Sequence, residues 1–465
     1  MIRIQASVLF SWLDGRSYHC NRMEDRFREI HDRHAWQPFT QMKLAHTPYK
    51  IDRASGVYLY EGERAIIDAV GSWWVNLFGH CNPRINEAVA RQLNTLEHAM
   101  YAGMTHEPAL KLSAALSEQS GHALPRAFFS DNGSTAVEIA LKMAFQYFRN
   151  AGRDEKQEFI SLKDGYHGDT IGTMSVGTRS VFHKLYEPML FDVNHVMSPA
   201  DEFDFASGKV QTGACDAALE DLESLLKEKG ERICGFILEP LIQGAGGMKF
   251  YSPEYLKGAR KLCDEHDVFL IADEVFVGTG RLGSYFAFEQ SGVWPDLIAL
   301  SKGLSGGYFP FAATLATEKV YQGFYSDDRI HTLFHGHSMT GNPPGCIASL
   351  VSLEIFEELR QNGVVLEVEQ WHRRLLINLM EGPAGKHVKN CRYWGSVAAL
   401  DVNLESGYTG NFAPQMLAKS IEKGALIRPL ANTVYLTPPL IIEEEQLDTV
   451  YEILESSLEE IVGGS

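Results

Sequence analysis

Phe269-Leu270-Ile271-Ala272-Asp273-Glu274 and Asp296-Leu297-Ile298-Ala299-Leu300-Ser301-Lys302 are two short apolar runs, each delivering an ionisable residue at its C-terminal end. Continuous apolar runs of this length read as strands of a parallel sheet buried on both faces. Open α/β sheets bind ligands just beyond the carboxyl ends of their strands. Asp273 and Lys302 are therefore expected to meet in one crevice. An arbitrary Asp or Lys is usually solvated, so the rest of the chain has to decide whether this pair differs.

Upstream of the pair, residues 253–266 have helical periodicity, and 233–240 read as a buried strand ending in Glu239, with Gln243-Gly244-Ala245-Gly246-Gly247 after it. Residues 201–231 are charged and read as helical. Residues 159–162 form another strand, followed by Gly165-Tyr166-His167-Gly168, where an aromatic between glycines can stack on a flat ligand. Residues 126–130 read as a strand, Asp131-Asn132-Gly133-Ser134-Thr135 as a turn, and 136–149 as a helix. That arrangement points free backbone N–H groups and a helix dipole at an anion. Gly133, Ser134 and Thr135 are candidate phosphate ligands, although Ser and Asn also serve as ordinary N-caps.

Further out, 57–60 and 66–68 read as a hairpin, and 83–100 and 108–119 as helices. The adjacent Trp73 and Trp74 cannot share one face of a strand; in a loop they would form an aromatic wall around a ligand. Beyond Gly345, helices at 347–359 and 367–380 precede short strands at 397–402, 426–428 and 434–436. The expected fold is α/β: a large domain, residues 80–345, with a predominantly parallel sheet flanked by helices, plus a smaller α+β domain drawn from both chain ends, residues 23–79 and 346–465. Residues 1–22 are expected to be a disordered extension.

Composition narrows the function. The 465 residues, 45% hydrophobic and 22% charged, are ordinary for a soluble globular protein. A net charge of -18 argues against nonspecific nucleic-acid binding, which needs a basic footprint, and favours small-molecule partners. Seven cysteines, scattered and without a C-x-x-C pair, support neither a disulfide framework nor a zinc site; a reducing cytoplasm fits. Ala6 to Leu13 is too short a core for a signal peptide and has no cleavage site. No apolar run approaches the ~20 residues of a membrane span. His331, His335 and His337 have no matching carboxylate or cysteine set, so no metal is expected.

A lysine that forms a Schiff base, an acid facing a pyridinium nitrogen, a phosphate cradle and a stacked ring are the parts of a pyridoxal 5'-phosphate site. Lys302, Asp273, Gly133-Ser134 and Tyr166 supply such a set. An amine of pKa near ~10.4 is a poor base at neutral pH, so Lys302 needs burial and nearby positive charge.

Here the chain resembles the fold-type I, class III aminotransferases. Asp273-Glu274-Val275 and Ser301-Lys302-Gly303 match their pattern at the expected interval. Within that class it is most similar to the branch that aminates 8-amino-7-oxononanoate (KAPA) in biotin synthesis, through Trp36-Gln-Pro-Phe-Thr40, Trp73-Trp74, Asp131-Asn-Gly-Ser134, Gly165-Tyr-His-Gly-Asp-Thr170, Glu239-Pro-Leu-Ile-Gln-Gly244, His335-Gly-His-Ser338, Gly341-Asn-Pro343 and Arg428-Pro429. The resemblance implies that Gly133 and Ser134 bind the phosphate, that Tyr166 stacks on the ring beside His167, that Val275 packs on the opposite face, and that Glu239 lies near the phenolic side. It implies catalytic roles for Lys302, Asp273 and Tyr166. Ser338 would reach the phosphate of a neighbouring subunit, giving a homodimer with shared active sites. Trp73 and Trp74 would wall the apolar chain of KAPA, with Phe39, Gly336, Tyr166 and Lys302 also at the substrate, and Arg428 would receive a carboxylate.

Two departures from the family pattern stand out. After Val275 and one variable residue the family continues Thr-Gly-Phe-Gly-Arg-Thr-Gly; here Phe276 precedes Val277-Gly278-Thr279-Gly280-Arg281-Leu282-Gly283, so a hydroxyl and an aromatic have moved. Phe39 stands where enzymes using S-adenosylmethionine as donor carry Tyr, and with His337-Ser338 in place of Pro-Thr this resembles the branch using lysine. Both donors, S-adenosylmethionine and lysine, remain candidates. An omega-aminotransferase for another amine (lysine, GABA or beta-alanine), an aminomutase or a decarboxylase would keep Asp273 and Lys302 equally well.

Overall fold

The structure, a computed structural model, describes residues 20–180, 183–404, 407 and 409–463. The extension expected at 1–22 lies, up to residue 19, outside the described residues. The chain forms two compact units, Met1–Asp52 and Arg53–Ser465. In the first, a helix at Cys20–His34 leads to irregular backbone where Phe39 adopts a left-handed φ of 51°.

The second unit is built on a seven-stranded sheet. From edge to edge its strands are Arg126–Ser130, Ala312–Ala316, Leu297–Leu300, Phe269–Asp273, Ile233–Leu238, Glu158–Leu162 and Asn194–Val196. Among the described residues, Ala312–Ala316 alone in this sheet runs against its two neighbours; the other pairings are parallel. The three central strands are buried along their whole length, which is why they read as unbroken apolar runs. Full burial of each large apolar side chain there contributes about 1.5–3 kcal/mol.

Helix Gly133–Asn150 covers one face. Its Val137, Ala140, Ala144 and Phe148 lie in one apolar cluster with Phe269, Ile271, Leu297 and Ala299 of the sheet. On the opposite face, residues of Gly213–Lys229 and Pro253–Glu265 cluster with Phe236, Leu238, Leu270 and Ala272. Alternate residues of one strand thus serve two different cores.

A second group of sheets draws on both ends of this unit. Arg53–Ser55, Tyr58–Glu61 and Arg64–Asp68 form antiparallel pairs, and Ala425–Leu426 adds in parallel beside Arg64–Asp68. Val388–Trp394, Val397–Val402 and Thr433–Leu436 form a separate antiparallel sheet. Val57, Ile67, Leu400, Leu454 and Leu458 share one apolar cluster.

Three expected elements are curtailed. Residues 201–212 are not helical. Asp204 accepts hydrogen bonds from the Ala206 N–H and the Ser207 hydroxyl, and this turn chemistry makes a hairpin of Phe203–Asp204 with Lys209–Val210 before the helix begins at Gly213. The helix expected over 83–100 ends at Leu93, where the Asn94 amide and Thr95 hydroxyl take the carbonyls of Ala90 and Arg91. The strand expected at 426–428 is confined to Ala425–Leu426: the Ile427 N–H goes to the Ser420 hydroxyl instead of a neighbouring strand, and Pro429 has no N–H to give.

At the amino ends of the central strands sits Lys156, fully buried. Its Nζ lies 3.0 Å from the carbonyl oxygen of Gly230, 2.9 Å from that of Ile233, 3.1 Å from that of His266 and 2.8 Å from that of Asp267. One ammonium thereby ties together the approaches to three adjacent strands. Lys156→Met should leave four carbonyls poorly satisfied and lower the unfolding free energy by about 1–3 kcal/mol or more, measured by urea denaturation; no measurable loss would contradict this role.

Candidate active site

The site follows from strand register. Leu238 pairs with Ala272 and Asp273 pairs with Ala299, all in parallel strands. Glu239, Asp273 and, three residues past Ala299, Lys302 therefore leave the sheet side by side. All three line one cavity of about 490 Å³, a volume typical of small-molecule sites.

Lys302 adopts a left-handed φ of 49°, and its Nζ lies 4.9 Å from the centroid of the Trp74 ring. Burial brings its pKa down to about 8; Asp273 pulls the other way and the Arg281 guanidinium adds to the depression. The Asp273 carboxylate is anchored on both oxygens: Oδ2 is 2.7 Å from His167 Nδ1 and Oδ1 accepts the Val275 N–H at 3.1 Å. His167 Nε2 is buried without a partner among the described residues.

Glu239 joins two loops. Its Oε1 accepts the Tyr166 N–H at 3.0 Å and its Oε2 the Gly244 N–H at 2.9 Å. Burial raises its pKa to about 7, with His167 opposing and Asp273 reinforcing the shift. The Tyr166 hydroxyl donates to Asp169 at 2.8 Å; burial, and then Asp169, push this phenol well above its ordinary range.

The expected turn at 131–135 is the N-terminus of helix Gly133–Asn150, three residues longer at this end than its periodicity suggests. Asn132 Oδ1 accepts the Thr135 N–H and Thr135 Oγ1 accepts the Asn132 N–H, both at 3.1 Å. Thr135 is thus spent on the cap. The Gly133 and Ser134 N–H groups have no intrahelical acceptor and lie at the cavity. Space there is tight: a Cβ on Gly168, at φ 124°, would sit 2.1 Å from Ser134 Oγ.

Trp73 and Trp74 lie in an unusual turn. Gly71, Ser72, Trp73 and Trp74 have φ of 55°, 45°, 67° and 72°, a short left-handed helical turn closed by the Trp74 N–H to Val70 carbonyl bond at 2.9 Å. Each non-glycine residue there costs roughly 1–2 kcal/mol. Gly71 is required on steric grounds as well, since a Cβ would lie 2.9 Å from the Asn76 oxygen. The turn sends the two indoles apart. Trp74 is buried against Phe276, 4.6 Å between centroids, whereas Trp73 is 40% exposed with the Arg428 guanidinium 4.4 Å from its centroid.

Of the residues expected at the site, Gly133, Ser134, Tyr166, His167, Glu239, Asp273, Val275, Lys302 and Trp74 line this cavity. Trp73 and Arg428 are paired with each other outside its lining. Gly336 and Ser338 are exposed, and Phe39 belongs to the first unit. Sequence reasoning missed Asn132, Phe276, Tyr308 and Phe309, which also line the cavity. Phe276 was signalled by its departure from the family pattern, and Tyr308-Phe309 by two preceding glycines. His335 and His337 bond to each other, Nε2 to Nε2 at 3.0 Å; among the described residues no group of side chains could hold a metal ion.

These groups fit pyridoxal phosphate. Two unsatisfied N–H groups at a helix N-terminus suit a phosphate, a doubly anchored carboxylate suits a ring N–H, and a desolvated amine suits the aldehyde. In the apo-protein a small amine-reactive reagent should modify Lys302 with a midpoint near pH 8, since the reactive neutral amine appears as pH rises through the depressed value; a midpoint at 10.5 would remove the case for desolvation.

The aminotransferase class-III family model matches residues 40–458. The chain is 39% identical over 449 residues to the adenosylmethionine-8-amino-7-oxononanoate aminotransferase of Geobacter sulfurreducens, covering 94% of this chain and 98% of that protein. It is 42% identical over 431 residues to the enzyme of that name from Synechococcus elongatus, covering 92% and 99%. The crystal structure of the like-named Methanocaldococcus jannaschii protein superposes with a TM-score of 0.84 at 33% identity, over 94% and 99% of the two chains. An amine transaminase from an uncultivated Pseudomonas species, solved with PLP bound, gives 0.85 at 28% identity, over 92% and 99%. The near-equal scores make the fold common to the class, so substrate has to be argued from the site. The chain belongs to the class-III aminotransferases and is a pyridoxal-phosphate-dependent transaminase.

Proposed function

We propose that this enzyme moves an amino group from S-adenosylmethionine or lysine to the ketone of 8-amino-7-oxononanoate, giving 7,8-diaminononanoate for biotin synthesis. The observation that carries the reading is one cavity that joins Lys302, Asp273 and a helix N-terminus to the indole of Trp74, in a chain whose relatives bearing that enzyme's name match it almost end to end.

Pyridoxal phosphate, when bound, supplies an aldehyde that takes up amino groups and a ring that withdraws electrons from the substrate carbon. The Gly133 and Ser134 N–H groups would hold its phosphate. Asp273, kept in place by His167 and Val275, would accept from the ring nitrogen. Tyr166, Val275 and Glu239, which line the same cavity, would confine the ring. The Lys302 amine takes the proton from the donor's carbon and later returns one to the acceptor's carbon; its lowered pKa suits it to both tasks near neutrality. Trp73 and Trp74 exclude water along the acceptor's apolar chain, and Arg428 can receive a carboxylate bidentately.

Ser338 is read as reaching the phosphate of a second copy of the chain, and its exposure on this one supports a homodimer with shared sites; Gly336 is read as contacting substrate. Phe39 is read as contacting substrate. Of the small domain read as residues 23–79 and 346–465 beside a large one of 80–345, the apolar cluster built from both ends of the second unit supports the part from Val57 onward; residues 23–52 belong to the first unit. Cys81, Cys215, Cys234, Cys263, Cys346 and Cys391 are free thiols, which supports a cytoplasmic enzyme; among the described residues no helix is long and apolar enough to cross a membrane.

Expression in a biotin auxotroph lacking this step should restore growth, and failure of a well-expressed protein to do so with either donor supplied would overturn the pathway. Lys302→Ala should abolish turnover, a loss of at least about 10³-fold, with an unchanged circular dichroism spectrum; normal activity would exclude the role given to Lys302. Mixing the purified yellow form separately with lysine and S-adenosylmethionine identifies the donor by which one bleaches the visible absorption, and bleaching by neither would exclude both.

A further inference from the structure

The left-handed turn that carries the two tryptophans does not hold itself. It begins three residues after Asp68, the last residue of strand Arg64–Asp68, and the Asp68 side chain is completely buried. Asp68 Oδ1 accepts the Ser72 N–H at 2.9 Å, and Oδ2 accepts the Ser72 hydroxyl at 2.7 Å. His80 Nε2 reaches the same Oδ2 at 2.9 Å. Asn76 Nδ2 donates to His80 Nδ1 at 2.9 Å, which leaves the ring proton on Nε2, directed at Asp68. Every one of these donors comes from the turn itself or the loop that follows it.

A left-handed stretch of Ser-Trp-Trp persists only where its surroundings over-determine it. Right-handed relaxation would swing both indoles, because side-chain direction follows backbone handedness. The downstream end of the turn is held independently by the bond from the Arg281 guanidinium to the Trp74 carbonyl. Asp68 therefore governs the upstream end, where Ser72 leads directly into Trp73.

We propose that Asp68, acting through Ser72 and oriented by His80, is a specificity-determining positioning residue: it fixes the left-handed turn that presents Trp73 towards Arg428 and Trp74 towards Lys302, and so sets the fit of the amino acceptor's apolar chain. It touches no reacting atom. The inference rests on the reading of the tryptophans as the acceptor's wall, and it assigns to a carboxylate outside the cavity a choice that the tryptophans alone would otherwise be given.

The test uses the holoenzyme. Asp68→Asn keeps the shape but cannot accept from all three donors. It should raise the KM for 8-amino-7-oxononanoate by about tenfold or more, leave bleaching of the visible absorption by the amino donor within about twofold of wild type, and shift the near-ultraviolet circular dichroism of the tryptophans. Ser72→Ala removes a single bond while keeping the backbone contact, and should raise the same KM by about threefold; it decides the matter if the Asp68 variant does not fold. An unchanged acceptor KM in either folded variant overturns the proposal, as does an equal fall in the donor and acceptor half-reactions, the mark of a merely structural residue. A wild-type enzyme that fails to aminate 8-amino-7-oxononanoate overturns instead the reading on which the proposal rests.

Discussion

The parallel register of three central strands is the constraint on which the site depends. Glu239, Asp273 and Lys302 are separated by dozens of residues in sequence, yet Leu238 beside Ala272 and Asp273 beside Ala299 bring them to one rim. The side-chain period of a strand is two residues, so a slip of one position would reverse every side chain on it. Phe269 and Ile271 would then leave their cluster with the Gly133–Asn150 helix, at a cost the fold cannot bear. Packing on both faces of the sheet thus fixes the chemistry at its end, and no separate device is needed to align the acid with the amine.

Burial then gives these groups their character. Lys302 is brought down to about 8 and Glu239 up to about 7, in opposite directions because desolvation disfavours either charge. Neighbouring Glu274 is raised to about 8, chiefly by burial, although the Ala287 and Phe288 N–H groups hold its carboxylate. Asp273 differs from both glutamates in having an imidazole among its partners, His167 Nδ1 at 2.7 Å from Oδ2. Two adjacent acids, Asp273 and Glu274, thus have different tasks: one faces the cavity, and the other braces the loop behind it.

Much of this was legible in the sequence because the decisive strands are short, apolar and buried on both sides. Asp273, Lys302 and the Gly133-Ser134 helix start could be named from strand ends and a capped turn alone. His167 and Glu239 were visible at strand ends as well, and the family likeness added Val275 and their roles; all three line the cavity. What could not be read arises from contacts between distant segments. Nothing local announces that Ser72, Trp73 and Trp74 take left-handed conformations, since bulky residues disfavour them; Asp68 and Arg281 hold them from outside the turn. Phe276 shows the same limit: its departure from the family pattern was visible, but its place against Trp74 depends on a turn some two hundred residues upstream. The hairpin at 203–210 was missed because its charged residues resemble an exposed helix face, whereas Asp204 and Gly208 were making a turn.

The buried ammonium of Lys156 divides the molecule's tolerance to change. It binds four carbonyls at the amino ends of the strands, while the reacting groups stand at the carboxyl ends. Loops at the chemical rim can therefore be exchanged with those of relatives to alter what is bound, because the strands are pinned at the far end by contacts that such exchanges never touch. The opposite rim allows little variation: an insertion next to Gly230 or His266 separates carbonyls that must all reach one nitrogen. A fold arranged in this way can yield at one edge because it is pinned at the other.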